Sequence, residues 1–175
     1  LNEDVFRNYV GGSGIGTKIL FDETTAETQA LSAENPLIFF TGPFTGTNTP
    51  LSGRHAVVAK SPLTNIFASS DVGGSFGTAL KATGYDGIVF KGKADEPKYL
   101  FITDSTIELR DASHVWGKNT YEVEHLLRLE TNEKAQVTCI GPAGERLVKF
   151  ASIMSDGKDG RAAGRDGLGA VMGSK

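Results

Sequence analysis

Several groupings of residue types in this sequence have spacings that chemistry uses. Gly12-Ser13-Gly14-Ile15-Gly16 has the glycine density of a dinucleotide turn. Its third glycine comes one residue early, and a helix rather than a strand precedes it, so it reads as a break between helices. Gly87 to Ala94, G-I-V-F-K-G-K-A, falls one residue short of a phosphate loop. Ala94 stands where a hydroxyl must hold magnesium, and the intervening residues are strand formers. Gly73-Gly74-Ser75-Phe76-Gly77 matches the spacing of a hydrolase nucleophile elbow, with His114 or His125 available as base. The elbow needs a strand directly before it, and Ser69-Ser70-Asp71 reads as a poor strand end. Glu122 and His125 have helical metal-ligand spacing but no partner ligands, so a solvated helix face is expected. Arg54 follows Ser52-Gly53, and Arg161 and Arg165 flank Ala162-Ala163-Gly164. Glycine lets backbone N–H groups approach an anion or a flat ring, and arginine adds a forked charge. Turn glycines with solvated arginines explain the same spacing equally well.

Composition narrows the field. The chain has 175 residues, 39% of them hydrophobic and 22% charged, which fits one globular domain and excludes disorder. A single cysteine, Cys139, excludes an internal disulfide and a cysteine metal cage, and it reads as a buried core residue. No run of ~18 apolar residues is present to span a membrane. The opening Leu1-Asn2-Glu3-Asp4 is acidic where a secretory signal is basic, and with the lone thiol it points to a cytoplasmic, reducing setting. Net charge of −3 gives no general drive toward nucleic acid. Glycine is the outlier, at 22 of 175 residues against a background of ~7%. That excess must serve turns or a ligand surface.

These residues need elements to hold them. Residues 2–10 predict a helix capped by Asn2, with Val5, Phe6, Tyr9 and Val10 on one face, and Ile15, Ile19 and Leu20 predict a second. Strands are predicted at Leu37 to Phe40, His55 to Lys60, Gly87 to Lys91, Lys98 to Thr103, Thr106 to Arg110, Gln136 to Ile140 and Leu147 to Met154. Residues 69–77 read as a glycine-rich loop, with a helix from Ser75 to Ala82. The best helix is 120–130, with Asn119 and Glu122 as a capping box and Glu124–Arg128 as an i,i+4 pair. The end, from Gly157, is again glycine-rich.

An internal echo runs through this order: apolar strand, Gly-Pro turn, arginine, strand, glycine loop. It occurs around residues 37–77, with Arg54, and again around 136–169, with Arg146. Chance in a glycine-rich chain gives the same echo as readily as duplication does. A duplication predicts a single α+β domain of two antiparallel meanders, each with its helix, related by a pseudo-two-fold and placing two glycine loops on one face.

The blocks themselves resemble a known family. S-A-E-N-P-L-I-F-F-T-G-P-F-T-G-T and S-G-R-H-A-V-V-A-K-S-P-L-T open the likeness. G-G-S-F-G-x-x-L-K-x-x-G-Y-D-G-I, I-E-L-R-D-A-S-H-V-W-G-K, C-I-G-P-A-G-E-R-L-V-K-F-A and G-R-A-A-G-R-D-G-L-G-A-V-M-G-S-K carry it almost end to end. The chain is similar to the amino-terminal domain of aldehyde ferredoxin oxidoreductases, over residues 1–175. The resemblance implies a cytoplasmic tungsten (or molybdenum) enzyme that oxidises aldehydes to carboxylic acids with ferredoxin as electron acceptor. It implies a metal held by two pterins, a [4Fe–4S] cluster ligated outside this chain, an oligomer when full length, and neither nucleic acid nor membrane as partner. The amino-terminal domain of that family is a duplicated α+β unit forming a base under the bis-pterin. By position, the pterin-contacting residues match Arg54, Asp71, Gly73, Arg161, Ala162 and Gly164. No catalytic residue and no protein ligand to the metal is implied within the chain.

Three departures qualify the likeness. Asp71 stands where the family usually has Asn, and a carboxylate accepts but does not donate hydrogen bonds and repels phosphate. The S-P-L-T block ends in Asn65, and Lys158 and Asp159 are extra before Arg161. By family standards the cluster cysteines and later pterin motifs are missing, so the chain reads as one domain of a longer protein, inert alone. Alternatives are a scaffold domain without metal and a relative acting on an aromatic thioester. With Arg54 and Arg161 in separate halves, each is expected to address one of two pterins.

Overall fold

The computed structural model describes residues 1–175. Two helices open the chain, α1 (Glu3–Tyr9) and α2 (Gly12–Glu23). Asn2 caps α1 by accepting the Val5 N–H at 3.1 Å. A first meander follows: β1 (Leu37–Thr41), β2 (His55–Lys60) and β3 (Phe67–Val72), all antiparallel, then α3 (Phe76–Ala82). The next strand, β4 (Gly87–Phe90), joins the sheet on the free edge of β1. The hairpin β5 (Lys98–Ile102) and β6 (Ile107–Asp111) and the helix α4 (Thr120–Glu130) separate this unit from a second. That second unit is β7 (Thr138–Cys139), α5 (Pro142–Glu145), β8 (Ile153–Ser155), β9 (Arg161–Ala163) and α6 (Leu168–Gly173).

Both units run as a three-stranded antiparallel meander followed by a helix, the α+β class that the echo predicts. The parallel extends to register. His55 opens β2 opposite Val72 at the end of β3, and Ile153 opens β8 opposite Ala163 at the end of β9. A glycine follows each of those strand ends, Gly73 and Gly164.

Strand alternation builds two cores on the first sheet. Ile38, Phe40 and Val58 face α2, where Ile15 and Leu20 pack on them. Gly16 brings α2 close: a Cβ there would sit 2.8 Å from the Val58 Cγ2. Phe39, Val57 and Val72 face the other way and share a core with Ile153, Ala163, Leu168 and Val171 of the second unit. Burying this shared surface welds the units together, since burial of a Val, Leu or Ile side chain contributes about 1.5–3 kcal/mol. A third cluster packs Val123 and Leu127 of α4 on Ala112, Val115 and Cys139. No helix is long and apolar enough to cross a membrane.

Sequence expectations shift at four places. Ser69-Ser70-Asp71 belongs to β3, not to a loop, because every second residue (Ala68, Ser70, Val72) is buried against the core. The strand expected at Gln136 to Ile140 pairs only at Thr138–Cys139. That expected at Leu147 to Met154 starts at Ile153, because the backbone before it bonds elsewhere: the Ala151 N–H donates to the Val148 carbonyl and the Ala151 carbonyl accepts from the Gly169 N–H. The glycine-rich end holds both β9 and α6.

Candidate functional site

The register of the two meanders brings distant glycines and arginines to one surface. Asp71 sits opposite Ala56 near the end of β3, and Arg54 immediately precedes β2. Buried Thr45 fixes that approach: its hydroxyl accepts from the Gly42 N–H at 2.9 Å and donates to the Arg54 carbonyl at 3.1 Å. From the second unit, Arg161 and Ala162 enter at the start of β9, opposite Ser155 and Met154. The third strands β3 and β9 pack beside each other, so these groups converge.

They line one open cleft of about 500 Å³. Arg54, Asp71, Gly73, Arg161 and Ala162 form its wall with Leu51, Gly53, Gly74 and Gly160. Four of the nine lining residues are glycines, so much of the wall is bare backbone. The turns fit closely: a Cβ on Gly53 would stand 3.4 Å from the Gly74 carbonyl oxygen. Gly74 adopts φ +88°, a left-handed conformation that glycine takes without strain. A Cβ there would overlap the Asp156 carboxylate and approach the Arg161 Cγ at 2.9 Å. Arg161 thus lies across the Gly73–Gly74 turn.

Neither Arg54 nor Arg161 forms an ion pair with any carboxylate of the chain, Asp71 included. Two unneutralised guanidiniums in one glycine-walled cleft suit an anion attached to a flat group. The volume is within the range of small-molecule sites, ~300–1,000 Å³. The open side leaves one face of an occupant uncovered.

Five of the six expected site residues therefore meet. The sixth, Gly164, is exposed and follows β9, three residues beyond Arg161, or about 10 Å along an extended strand. The cleft takes in the end of β3 but the beginning of β9, which leaves Gly164 off its wall. Arg54 and Arg161, expected to address one pterin each, both line this one cleft. Thr45, Leu51 and Gly160 are residues that sequence reasoning passed over; the T-G-P-F-T turn carried a signal for the first.

The other chemical candidates resolve as structure. The strand needed before a nucleophile elbow is present, since β3 leads into Ser75 at the start of α3. The sheet is antiparallel, however; His114 pairs through Nε2 with Glu130 at 2.9 Å, Ser75 bonds Asp156 through its N–H, and no hydrogen bond joins Ser75 to His114 or His125. Glu122 closes the capping box on Asn119, and no three His, Cys, Asp or Glu side chains gather around a metal position. Gly87 lies in β4 against Phe40, and Gly12 begins α2. Cys139 is buried, and desolvation pushes its thiol up to about 12.

Comparison with known proteins supplies the context. The family model "Aldehyde ferredoxin oxidoreductase, N-terminal domain" matches residues 1–175. A tungsten-containing aldehyde ferredoxin oxidoreductase from Pyrococcus furiosus is 50% identical over 175 residues, covering 99% of this chain and 29% of that protein. An aliphatic sulfonate oxidoreductase, WOR-like subunit, from the same organism is 40% identical over 191 residues, covering 100% of this chain and 30% of that one. The active site complex BamBC of benzoyl coenzyme A reductase, solved with 1,5 dienoyl-CoA, superposes with a TM-score of 0.96 at 40% identity, over all of this chain and 26% of the other. The chain spans under a third of the length of these relatives.

Proposed function

The chain belongs to the aldehyde ferredoxin oxidoreductase family as its amino-terminal domain, and from that premise we propose that its glycine-walled cleft is the seat of a phosphorylated pterin of a tungsten cofactor. The observation that carries this reading is the pair of unpaired guanidiniums, Arg54 and Arg161, facing one cleft. They supply forked hydrogen bonds for phosphate or stack on the ring. Gly73, Gly74 and Ala162 let the ring approach the backbone. Asp71 accepts hydrogen bonds, so it suits the amino edge of a pterin rather than the phosphate. Gly164 enters the proposal only through the family likeness. The cofactor, when bound, supplies the redox chemistry.

In the whole protein this domain is the base on which the tungsten (or molybdenum) bis-pterin rests. Oxidation of an aldehyde to the carboxylic acid, with ferredoxin as electron acceptor, is the activity this base would serve, and a [4Fe–4S] cluster would supply the electron path. A cluster usually needs four cysteine ligands, and the one cysteine here is buried, so the cluster ligands lie in other parts of the protein. The lone thiol fits a cytoplasmic, reducing setting. A second reading keeps the seat and changes the substrate: the sulfonate and benzoyl-CoA relatives at 40% identity favour it.

Titration of the 175-residue chain with neopterin monophosphate, followed by pterin fluorescence, tests the seat. Saturable binding that weakens in Arg54→Lys and Arg161→Lys supports it. Absence of binding, or equal binding by both variants, removes it.

A further inference from the structure

Behind the glycine turn lies a second cavity of about 350 Å³, lined by Ser75, Glu124, Arg128 and Asp156 among others. Asp156 reaches from it to the turn. Both its carboxylate oxygens accept the Ser75 N–H, at 3.2 and 3.0 Å. Asp156 ends the β8 side of the β8–β9 connection, and Arg161 begins the other side. The Gly74 Cα is so close to this carboxylate that no side chain fits between them. Asp156 is itself in the left-handed region, at φ 60°, which Asp and Asn tolerate better than other side chains. Its neighbour Gly157, at φ 44°, is pressed against α4: a Cβ there would stand 2.9 Å from the Glu124 Oε2.

From this we infer that Asp156 is a positioning residue for the cleft, tying the β8–β9 connection to the Gly73-Gly74-Ser75 turn and so fixing Arg161 against its wall. The inference rests on the pterin-seat reading for its consequence, though not for its geometry. The cleft walls come from two units, and at the cleft this is the side-chain hydrogen bond that joins them. Without it, only the packing of β3 beside β9 relates the turn to the arginine. A ligand must then order both, which lowers affinity without removing any group that touches the ligand. The charge is not what matters: Asn also presents an oxygen to the Ser75 N–H and also tolerates the left-handed backbone.

Two variants separate positioning from stability. Asp156→Gly removes the acceptor while keeping the backbone unstrained, and Asp156→Asn keeps an acceptor without charge. Affinity for neopterin monophosphate is expected to fall about 5- to 10-fold in Asp156→Gly, one net hydrogen bond's worth, and to stay within about twofold in Asp156→Asn. Asp156→Gly and Arg161→Lys should be non-additive, whereas Asp156→Gly and Arg54→Lys should add. In the unliganded chain, Ser75 amide exchange should quicken and the Arg161 Nε–H resonance should change in Asp156→Gly. Wild-type affinity in Asp156→Gly, beside weakened Arg54→Lys, overturns the positioning role and leaves the seat intact. If the wild-type chain binds no pterin, the seat fails. The exchange measurement then decides the tie by itself: unchanged Ser75 and Arg161 signals overturn it.

Discussion

The imidazole of His55 packs against the ring of Phe76 at 5.2 Å between centroids, and neither of its nitrogens has a hydrogen-bond partner. Phe39 lies on it at 6.1 Å, and the residue is 2% exposed. Burial among apolar groups disfavours the charged ring and holds its pKa down, to about 4. No charged group contributes to that shift, so nothing compensates a proton there.

Acid should therefore loosen this domain. An unfolded His titrates near ~6.5. Between that value and about 4 the unfolded chain takes the proton and the folded chain refuses it. The contribution is complete above the unfolded value and is lost as pH falls through the folded one. Its size is about 3 kcal/mol. Urea unfolding at pH 7.5 and pH 4 should show His55→Leu losing less stability on acidification than wild type by about that amount. Equal losses would refute the assignment to His55.

Gly74 and Gly84 share φ +88° but differ in surroundings. Gly84 has open space where a Cβ would go, and Gly74 has the Asp156 carboxylate. Gly84→Ala should lower stability by about 1 kcal/mol through backbone strain alone. Gly74→Ala should cost at least ~2 kcal/mol, because the carboxylate must also be displaced. Paired denaturation curves decide; equal costs would mean that the turn gives way freely.

The Glu124 side chain is 8% exposed and pairs with Arg128 at 2.8 Å. The guanidinium also donates to the Ala135 carbonyl at 2.8 Å, so it ties α4 to the segment before β7. Arg128→Ala strands a buried carboxylate and should destabilise by about 2 kcal/mol, less than for a fully buried pair because Arg128 is part-exposed. Adding Glu124→Ala should recover part of the loss. A double-mutant cycle showing no coupling would contradict this.

For the arginines of the cleft, Arg→Lys keeps charge and loses the planar fork. Both side chains are exposed, so each substitution should leave the unfolding midpoint unchanged. Neopterin monophosphate affinity should fall about tenfold per substitution, roughly 1.4 kcal/mol. In the longer protein, pterin and metal content should fall with it. Unaltered content in both variants would return the arginines to solvated turn residues.

What could be read beforehand followed the strength of local signals. The capping box of α4 and the apolar run of β2 are strong ones, and both elements occupy the expected residues. β3 was hidden because its inward residues are partly small and polar, as Ser70 is. α6 was hidden by Gly169 and Gly173, which resemble a loop in sequence. In space they admit the Ser152 and Gly144 carbonyls, where a Cβ would clash. Those glycines exist for helix packing, and nothing local distinguishes them from turn glycines. For the cleft, the sequence held the arginines and glycines, but only the pairing of β2 with β3 and of β8 with β9 brings them to one wall.

The buried thiol of Cys139 makes the domain convenient to instrument. One cysteine, held protonated inside the α4 cluster, leaves the native surface chemically silent toward alkylating and disulfide-forming reagents. Any cysteine introduced on the outside becomes the sole reactive handle, with no need to disturb the core first. Leu51 stands on the first-unit side of the cleft and is 99% exposed, and exposed Arg165 follows β9 in the second. Spin labels at Leu51→Cys and Arg165→Cys would report the spacing between the two units directly.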